Sequence, residues 1–595
     1  MAATVRYIRL LCLLIVLGFS SPLQCANSTR PNIVFLLADD LGFSDIGPYG
    51  SEISTPTLSR LAADGITFTN YHTAANCAPA RAMLLTGVSS HLAGVPNIPE
   101  MISPSQLRQD NYQGVLGDNV VTIATLLEDA GYHTYLAGKW HLGSTPEKLP
   151  SRRGFQRTIA LMDSGADNWE QRPYLPIYTE ANWFADGERY VLPDDFYSSD
   201  FLIDKTIEFI DGNLHDGKPF FAYVPFQAVH IPVQAPQDYI DRYIGRYDGG
   251  WHELREERFS RAVSFGILPD SAEMLRMPTT LSWSDLTAER QRYEAKRMAV
   301  YAGMIESMDA EIGRLLEYLK DKGQLDNTLF IFTSDNGAEG SGAQNPSDIA
   351  TQRMIASLGY TSDYETLGQR GSFNSISPGF TSAAVSPLAY YKFYAGEGGL
   401  RVPLIISGEP LGNVVRQTNA FAWATDIAAT ILSMAGAALP GSRYGGRPVL
   451  PITGKDLMPL IDGRKQRVYG EEESIGYELT GHAALFQGDY KLVRNLAPLG
   501  DGEWRLFDIV SDPGETKDLK LQLPDRFDQM LISYQKFTVD NRVQPLPEGY
   551  SQQSQLVFNM LRDQFGAELI VALLTILIIL PFIVFSWSRK QSLWG

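Results

Sequence analysis

The chain has 595 residues, 44% of them hydrophobic and 20% charged, with a formal net charge of −18. This length and composition provide for two or three domains with ordinary cores and exclude a low-complexity or disordered chain. The acidic balance argues against nucleic acid as a partner, because the field of the whole protein repels phosphates; an anionic ligand would need a local cluster of cations.

At the N-terminus, Arg6 and Arg9 precede an apolar run from Leu10 to Phe19 and then small and polar residues. This pattern predicts a secretory signal peptide over 1–26, cleaved after Ala26. Cleavage there removes Cys12 and Cys25, so Cys77 is left as the sole cysteine of an exported chain and has no partner for an internal disulfide. The scarcity of cysteine and the single sequon, Asn27-Ser28-Thr29, favour a bacterial periplasm as the destination.

From residue 31, short apolar strands alternate with amphipathic helices, which predicts a large mixed, mostly parallel sheet with helices on both faces. "NIVFLLADD" is a buried strand ending in Asp39 and Asp40, and "TPTLSRLAADG" is a helix stopped by Gly65. In "NCAPARAMLLTG", Cys77 opens a helix, with Pro79 in its first turn and Arg81 one turn on. "NVVTIATLLEDAGYHTYLAGKWHLG" gives a helix, a stop at Gly131, a strand, and then Lys139 and His141. "KPFFAYVPFQAVHIP" is a strand leading into His230.

The spacing of Met298, Tyr301, Ile305, Met308, Ile312, Leu315, Leu316 and Leu319 predicts a helix from Arg297 to Lys320. Gly323 ends it, and "TLFIFTSDNGA" is a strand that delivers Asp335 and Asn336. Residues 340–385, rich in Gly, Ser and Asn, interrupt the pattern and are expected to cover a ligand crevice. Beyond about residue 465 the texture predicts a smaller α+β domain on an antiparallel sheet, with a helix from about Asp525 to Lys536. The uncharged run 569–587, followed by Arg589 and Lys590, predicts a transmembrane helix with a cytoplasmic C-terminus. The expected organisation is therefore a signal peptide (1–26), a catalytic domain (27–465), a smaller domain (466–545), a polar linker (546–568), a membrane span (569–587) and a short tail (588–595).

Open parallel sheets bind ligands at the carboxyl ends of their strands, so the polar groups delivered there are expected to meet in one crevice. Asp39, Asp40, Asp335 and Asn336 form an oxygen set suited to a hard divalent cation, Ca²⁺ most readily, with Mg²⁺ as the alternative. Arg81, Lys139, His141, His230 and Lys392 supply cations and proton carriers for an anionic ester. The helix N-terminus at Cys77 adds a preference for anions. Together these features describe a hydrolase of sulfate or phosphate esters.

"CAPAR", together with "RPNIVFLLADDLGFSDIG", "GKWHLG", "TSDNGAEG", "YKFYAGEGGLRVP" and "LFDIVSDPGET" in this order, resembles the type I, formylglycine-dependent sulfatases. The resemblance spans roughly residues 31–540 and is strongest to bacterial arylsulfatases. It implies an alkaline-phosphatase-like fold and conversion of Cys77 to Cα-formylglycine by a maturation enzyme. It also implies one metal ion per chain, held by Asp39, Asp40, the modified Cys77, Asp335 and Asn336. By the same resemblance, Arg81 holds the formylglycine and Lys139 bridges it to sulfate. His141 assists breakdown of a sulfate hemiacetal, and His230 and Lys392 contact the sulfate and the leaving oxygen. The implied substrate is a small aryl sulfate, hydrolysed to the alcohol or phenol and inorganic sulfate.

The sequence departs from the family pattern at Ala78 and Ala80 within the signature, and in "AVHIP" around His230. Two rival functions differ from aryl sulfate hydrolysis. One is a phosphonate monoester or phosphodiester hydrolase of the same fold. The other is an unmatured, membrane-anchored protein that binds sulfated ligands and keeps its thiol. His91 and the aromatic residues of 168–197 are expected to serve packing rather than the ligand pocket.

Overall fold

Strand β1 (Asn32–Ala38) explains the architecture in miniature, because all seven of its residues are buried. Ile33, Phe35 and Leu37 face one hydrophobic core, and Val34, Leu36 and Ala38 face another. A strand buried on both faces needs layers above and below it, and a continuous apolar run is how such a strand reads in sequence. The computed structural model describes residues 30–277, 280–340, 349–552, 554–562 and 566. The expected signal peptide, membrane span and tail lie outside the described residues. Among the described residues, no helix is long and apolar enough to cross a membrane.

The other strands of the main sheet are β2 (Ile66–Phe68), β3 (His133–Lys139), β4 (Arg157–Leu161), β5 (Trp183–Ala185), β6 (Glu188–Arg189), β7 (Phe220–Pro225), β8 (Thr328–Ser334), β9 (Leu404–Ser407) and β10 (Gln417–Thr418). Their spatial order is β10-β2-β9-β8-β1-β7-β3-β4-β5-β6. The central five, β8-β1-β7-β3-β4, are parallel, in register Ala38 with Ser334 and Leu37 with Pro225. β9 and β5 pair antiparallel at either flank. This is the mixed, mostly parallel sheet that the sequence predicts.

The helices that matter for the site are α1 (Pro56–Asp64), α2 (Cys77–Thr86), α3 (Ile123–Asp129), α4 (Ser198–Asp211), α5 (Ala288–Asp321), α6 (Ile349–Ser357), α7 (Ala424–Met434) and α8 (Pro524–Asp540). Residues of α2, α3 and α7 share one core with β1, and those of α4 and α5 share the other. α5 buries all eight of its expected face residues, yet it begins nine residues earlier than its apolar spacing indicates. The extra turns are polar, so they carry no periodic signal. They are held by the Thr287 side chain, which accepts from the Arg290 N–H as an N-cap, and by Arg290 and Arg297 pairing with buried Glu294.

The C-terminal antiparallel sheet is present as β11 (Ser474–Leu479), β12 (His482–Gln487), β13 (Tyr490–Arg494) and β14 (Arg505–Asp508). One face packs on α8 through Leu485, Leu492, Leu506, Met530 and Tyr534. Its other face, with Leu479, Phe486 and Phe507, belongs to a core of the main body. A buried ionic network ties the two together. Glu397 accepts from Lys491 at 2.8 Å and from His72 at 2.9 Å, while Lys491 also reaches Glu515 at 2.9 Å.

Residues 554–562, expected as part of a polar linker, are helical. Asn559, fully buried, donates to the carbonyls of Glu100 at 2.7 Å and Ile102 at 3.2 Å, pinning this helix to the 98–102 loop. Tyr550 donates to the neighbouring Met101 carbonyl at 2.7 Å.

Candidate active site

All ten residues singled out from the sequence lie at or near the carboxyl edge of the central strands. Asp39 and Asp40 follow β1, Asp335 and Asn336 follow β8, Lys139 ends β3, and His141 stands two residues beyond it. Cys77 is the first residue of α2, with Arg81 one turn later. His230 lies five residues past β7. Gly165 is glycine for a steric reason: a Cβ there would sit 2.6 Å from His230 Nδ1. Lys392 is brought in by its loop, whose backbone N–H at that residue donates to the Ala338 carbonyl.

The Cys77 thiol lies 3.5 Å from Asp39 Oδ1 and 3.6 Å from Asp40 Oδ1. Lys139 Nζ donates to Asp39 Oδ2 at 2.6 Å, and Lys392 Nζ lies 2.8 Å from Asp40 Oδ1 and 3.3 Å from Glu339. His230 Nε2 stands 3.7 Å from Asp40 Oδ2. One ligand atom from each of Asp39, Asp40, Cys77 and His230 lies within 4.8 Å of the others.

Asp335 sits in this cluster differently from the aspartates of β1. Its Oδ2 accepts from Arg81 Nε at 2.9 Å and Nη2 at 2.7 Å, and its Oδ1 accepts from the Asp40 N–H at 3.2 Å. Arg81 and Asp335 are fully buried and form the closer pair, with Asp39 Oδ1 3.5 Å from Arg81 Nη2 as a second partner. Breaking a buried pair from one side costs about 3–5 kcal/mol. Asp335→Ala is therefore expected to lower unfolding free energy by roughly that amount, read from urea unfolding curves, in addition to any effect on turnover. An unchanged curve would show that Arg81 is balanced by something other than this carboxylate.

Asn336 Nδ2 donates to Asp40 Oδ1 at 2.7 Å, while its Oδ1 is buried with no hydrogen-bond partner among the described residues. Three carboxylates and an orphaned amide oxygen suit a hard cation such as Ca²⁺ or Mg²⁺. Burial pushes the Asp39 carboxyl up to about 7 despite Lys139, and Asp335 adds to the rise. Asp40 feels the same burial, but Lys392, His230 and Lys139 outweigh it and hold this carboxyl below the usual range. A cation placed between these oxygens would relieve the crowding that favours a proton on Asp39.

The remaining polar groups form the anion side. Burial first, and then Lys139, push His141 and His230 well below the ordinary histidine range, so both rings are neutral at neutral pH. His230 Nδ1 lies 2.6 Å from the Ile231 carbonyl, which assigns the proton to Nδ1 and leaves the Nε2 lone pair facing the cluster. Both His141 nitrogens are buried without a partner among the described residues. Burial raises the Cys77 thiol well above its ordinary value, and Asp335 reinforces this. A thiolate against two carboxylates is electrostatically disfavoured, so an unmodified Cys77 would be a poor nucleophile here.

The cluster opens into a cavity of about 470 Å³. Its lining is mixed: Cys77, Glu100, His141, His230, Glu339 and Lys392 are polar, while Ile98, Met101, Leu175, Met354, Phe373 and Leu556 are apolar. α6 contributes Thr351 and Met354, so part of 340–385 does line the crevice; residues 341–348 lie outside the described set.

Sequence reasoning missed Glu339, which pairs with Lys392, although it stands four residues after Asp335 in the same block. It also missed Glu100 and Tyr174. Tyr174 meets the His230 ring edge-on, with centroids 5.2 Å apart. The aromatic segment thus divides, since Trp183 and Phe196 are core while Tyr174 is pocket wall. His91 is structural: it bonds Glu478 at 2.8 Å and does not line the cavity.

A parallel-sheet edge that gathers cations, carboxylates and a helix N-terminus around one cavity defines a class of α/β proteins that handle anionic esters. Residues 31–437 match the Sulfatase family. An uncharacterized sulfatase of Schizosaccharomyces pombe is 36% identical over 88% of this chain and 96% of its own length. An arylsulfatase of Klebsiella aerogenes is 37% identical over 73% of this chain and 93% of its own. The crystal structure of Ps i-CgsB in complex with k-i-k-neocarrahexaose shares the fold, with a TM-score of 0.61 at 22% identity, over 90% of this chain and 97% of that one. The chain belongs to the sulfatase family, as its motif blocks indicate.

Proposed function

We propose that the protein hydrolyses sulfate monoesters of hydrophobic alcohols, aryl sulfates foremost, using a Cα-formylglycine made from Cys77. The observation that carries this is the position of Cys77. It is buried beside Asp39 and Asp40 and lines a cavity to which Ile98, Met101, Leu175, Met354, Phe373 and Leu556 also contribute apolar side chains. The polar lining groups match a sulfate group, and the apolar side chains match an aryl or alicyclic leaving group.

A bound Ca²⁺, held by Asp39, Asp40, Asp335, Asn336 Oδ1 and the residue at 77, would supply Lewis-acid polarisation of the ester and of the nucleophile. The chain's own groups do the rest. Lys139 and Lys392 neutralise the sulfate oxygens, and each is already held by a carboxylate that fixes its aim. Arg81, locked by Asp335 and the Lys139 carbonyl, holds the side chain at 77 in place. Neutral His141 accepts a proton from the hydroxyl at 77 when sulfate is expelled, and His230 faces the departing oxygen. Export and a C-terminal membrane anchor, with the catalytic body outside the cytoplasm, form part of this proposal; they rest on the sequence patterns of 1–26 and 569–587.

The test is a side-by-side assay of p-nitrophenyl sulfate, a phenyl phosphonate monoester and bis-p-nitrophenyl phosphate with purified, calcium-loaded protein. The sulfate ester is expected to have the highest kcat/KM. Preference for either phosphorus ester would reassign the enzyme to that chemistry, and tight sulfate-ester binding without turnover would mark a binding protein.

A further inference from the structure

Helix 554–562 has two different faces. Leu556 lines the cavity and Asn559 is fully buried against the 98–102 loop. On the opposite side, Val557, Phe558 and Leu561 are 53%, 52% and 50% exposed. At a helical spacing of i, i+1 and i+4 these three form one apolar patch turned away from the protein. The helix is therefore a thin partition with the leaving-group cavity on one side and an uncovered apolar face on the other.

The chain beyond this helix limits what can cover that face. The uncharged run 569–587 begins seven residues after Arg562. Seven extended residues reach at most roughly 25 Å, and the helical stretch from Leu556 to Arg562 adds about 9 Å. A globular body of this size has a radius of gyration near ~24 Å and is about 60 Å across. An anchor on so short a tether keeps the cavity on the half of the body that faces the bilayer.

We propose that the Val557–Phe558–Leu561 face rests on the lipid bilayer and that the mouth of the cavity opens there. The physiological ester would then be a sulfated amphiphile whose apolar part is dissolved in the membrane. This rests on the proposed sulfate-ester hydrolysis and on the C-terminal anchor. The chemistry fits from both ends. The sulfate of such an ester lies at the polar surface of the bilayer and passes from there into the cavity towards the buried Lys392 and Lys139. Its apolar part leaves the bilayer along Leu556, Met101 and Met354 without crossing water. The bilayer serves as the reservoir, so the cavity need hold only the part of the substrate nearest the ester.

The experiment uses the full chain reconstituted in phosphatidylcholine vesicles and two esters, water-soluble p-nitrophenyl sulfate and 4-dodecylphenyl sulfate carried in the vesicles. The readout is the ratio of initial rates, vesicle-borne over soluble. In the triple variant Val557→Gln/Phe558→Gln/Leu561→Gln the ratio is expected to fall about tenfold. In a second variant, twenty Gly/Ser residues inserted after Gly566 lengthen the tether, and the ratio is expected to fall again. The soluble ester reports in each case that the site is intact. An unchanged ratio in either variant overturns the proposal. So does a change of oligomeric state in the triple variant, which would assign the face to a second copy of the chain. Release of sulfate from neither ester by the wild-type protein would overturn the hydrolytic reading, and failure of the wild-type protein to float with the vesicles would overturn the anchor. Either would take this proposal with it.

Discussion

Replacing Cys77 by alanine is expected to lower kcat on aryl sulfates by on the order of 10⁴- to 10⁶-fold, the range seen when an enzyme loses its nucleophile. The side chain at 77 is small and sits at the start of α2, so its loss creates little cavity and strands no charge. The fold and the four oxygen-bearing neighbours remain. The melting curve of Cys77→Ala should therefore match that of the parent, which separates a chemical defect from a structural one; metal content is measured alongside, because the residue at 77 is itself one of the proposed ligands. The accompanying measurement is the mass of the peptide containing residue 77. Active protein should show CHO in place of CH₂SH and react with a hydrazide, and activity should scale with the aldehyde fraction. Full activity in protein whose residue 77 is entirely thiol would overturn the proposed chemistry, because the buried thiol between two carboxylates has no means of becoming a good nucleophile.

The second large effect is expected at His230, and its size should depend on the leaving group. Negative charge builds on the ester oxygen as the bond to sulfur breaks, and a general acid at that oxygen contributes roughly 10²- to 10⁴-fold. The contribution shrinks when the alcohol is already stable as an anion. His230→Ala should therefore retain far more of its rate on p-nitrophenyl sulfate than on esters of poorly acidic phenols. The ring is neutral, with its proton on Nδ1 and the Nε2 lone pair facing Asp40. The proton that His230 delivers must therefore first be taken up from solvent at Nε2, a step that the negative charge of an arriving sulfate favours. The measurement is the slope of log(kcat/KM) against leaving-group pKa in both enzymes, with cleavage of the S–O bond rate-limiting. A steeper negative slope in the variant supports the role. Equal slopes would reduce His230 to a sulfate contact and leave Lys392 as the remaining candidate for stabilising the departing oxygen.

What could be read from the sequence, and what could not, follows from the range of the interactions involved. A strand buried on both faces must be apolar throughout, so "NIVFLLADD" and "TLFIFTSDNGA" announce themselves, and the polar residues just past them stand out. The gathering of Asp39, Asp40, Asp335, Asn336, Lys139 and Cys77 follows from the parallel pairing of those strands. The pairing of Asp335 with Arg81 was not legible. It joins positions 254 residues apart and depends on the direction in which α2 runs over the sheet. The cavity wall was harder still. Ile98, Tyr174, Met354 and Leu556 come from four separate segments, each with too few apolar residues to show a period. Helix 554–562 looked like a linker because its apolar residues are divided between two faces. Likewise, the first nine residues of α5 are fixed by a cap and a buried ion pair rather than by an apolar stripe.

The wall and the chemical groups of this site have different origins in the chain. The charged groups stand at the ends of strands whose register is locked by the central sheet, where a shift of one residue would turn a whole strand inside out. The wall is assembled from loops and short helices at the periphery, which can lengthen or change composition at little cost to the core. Mutation can therefore rebuild the choice of alcohol while the sulfate end stays fixed. Selection on what the protein accepts acts on one set of residues, and selection on what it does to the ester acts on another. A lineage carrying this architecture can diversify its diet of esters without relearning the reaction.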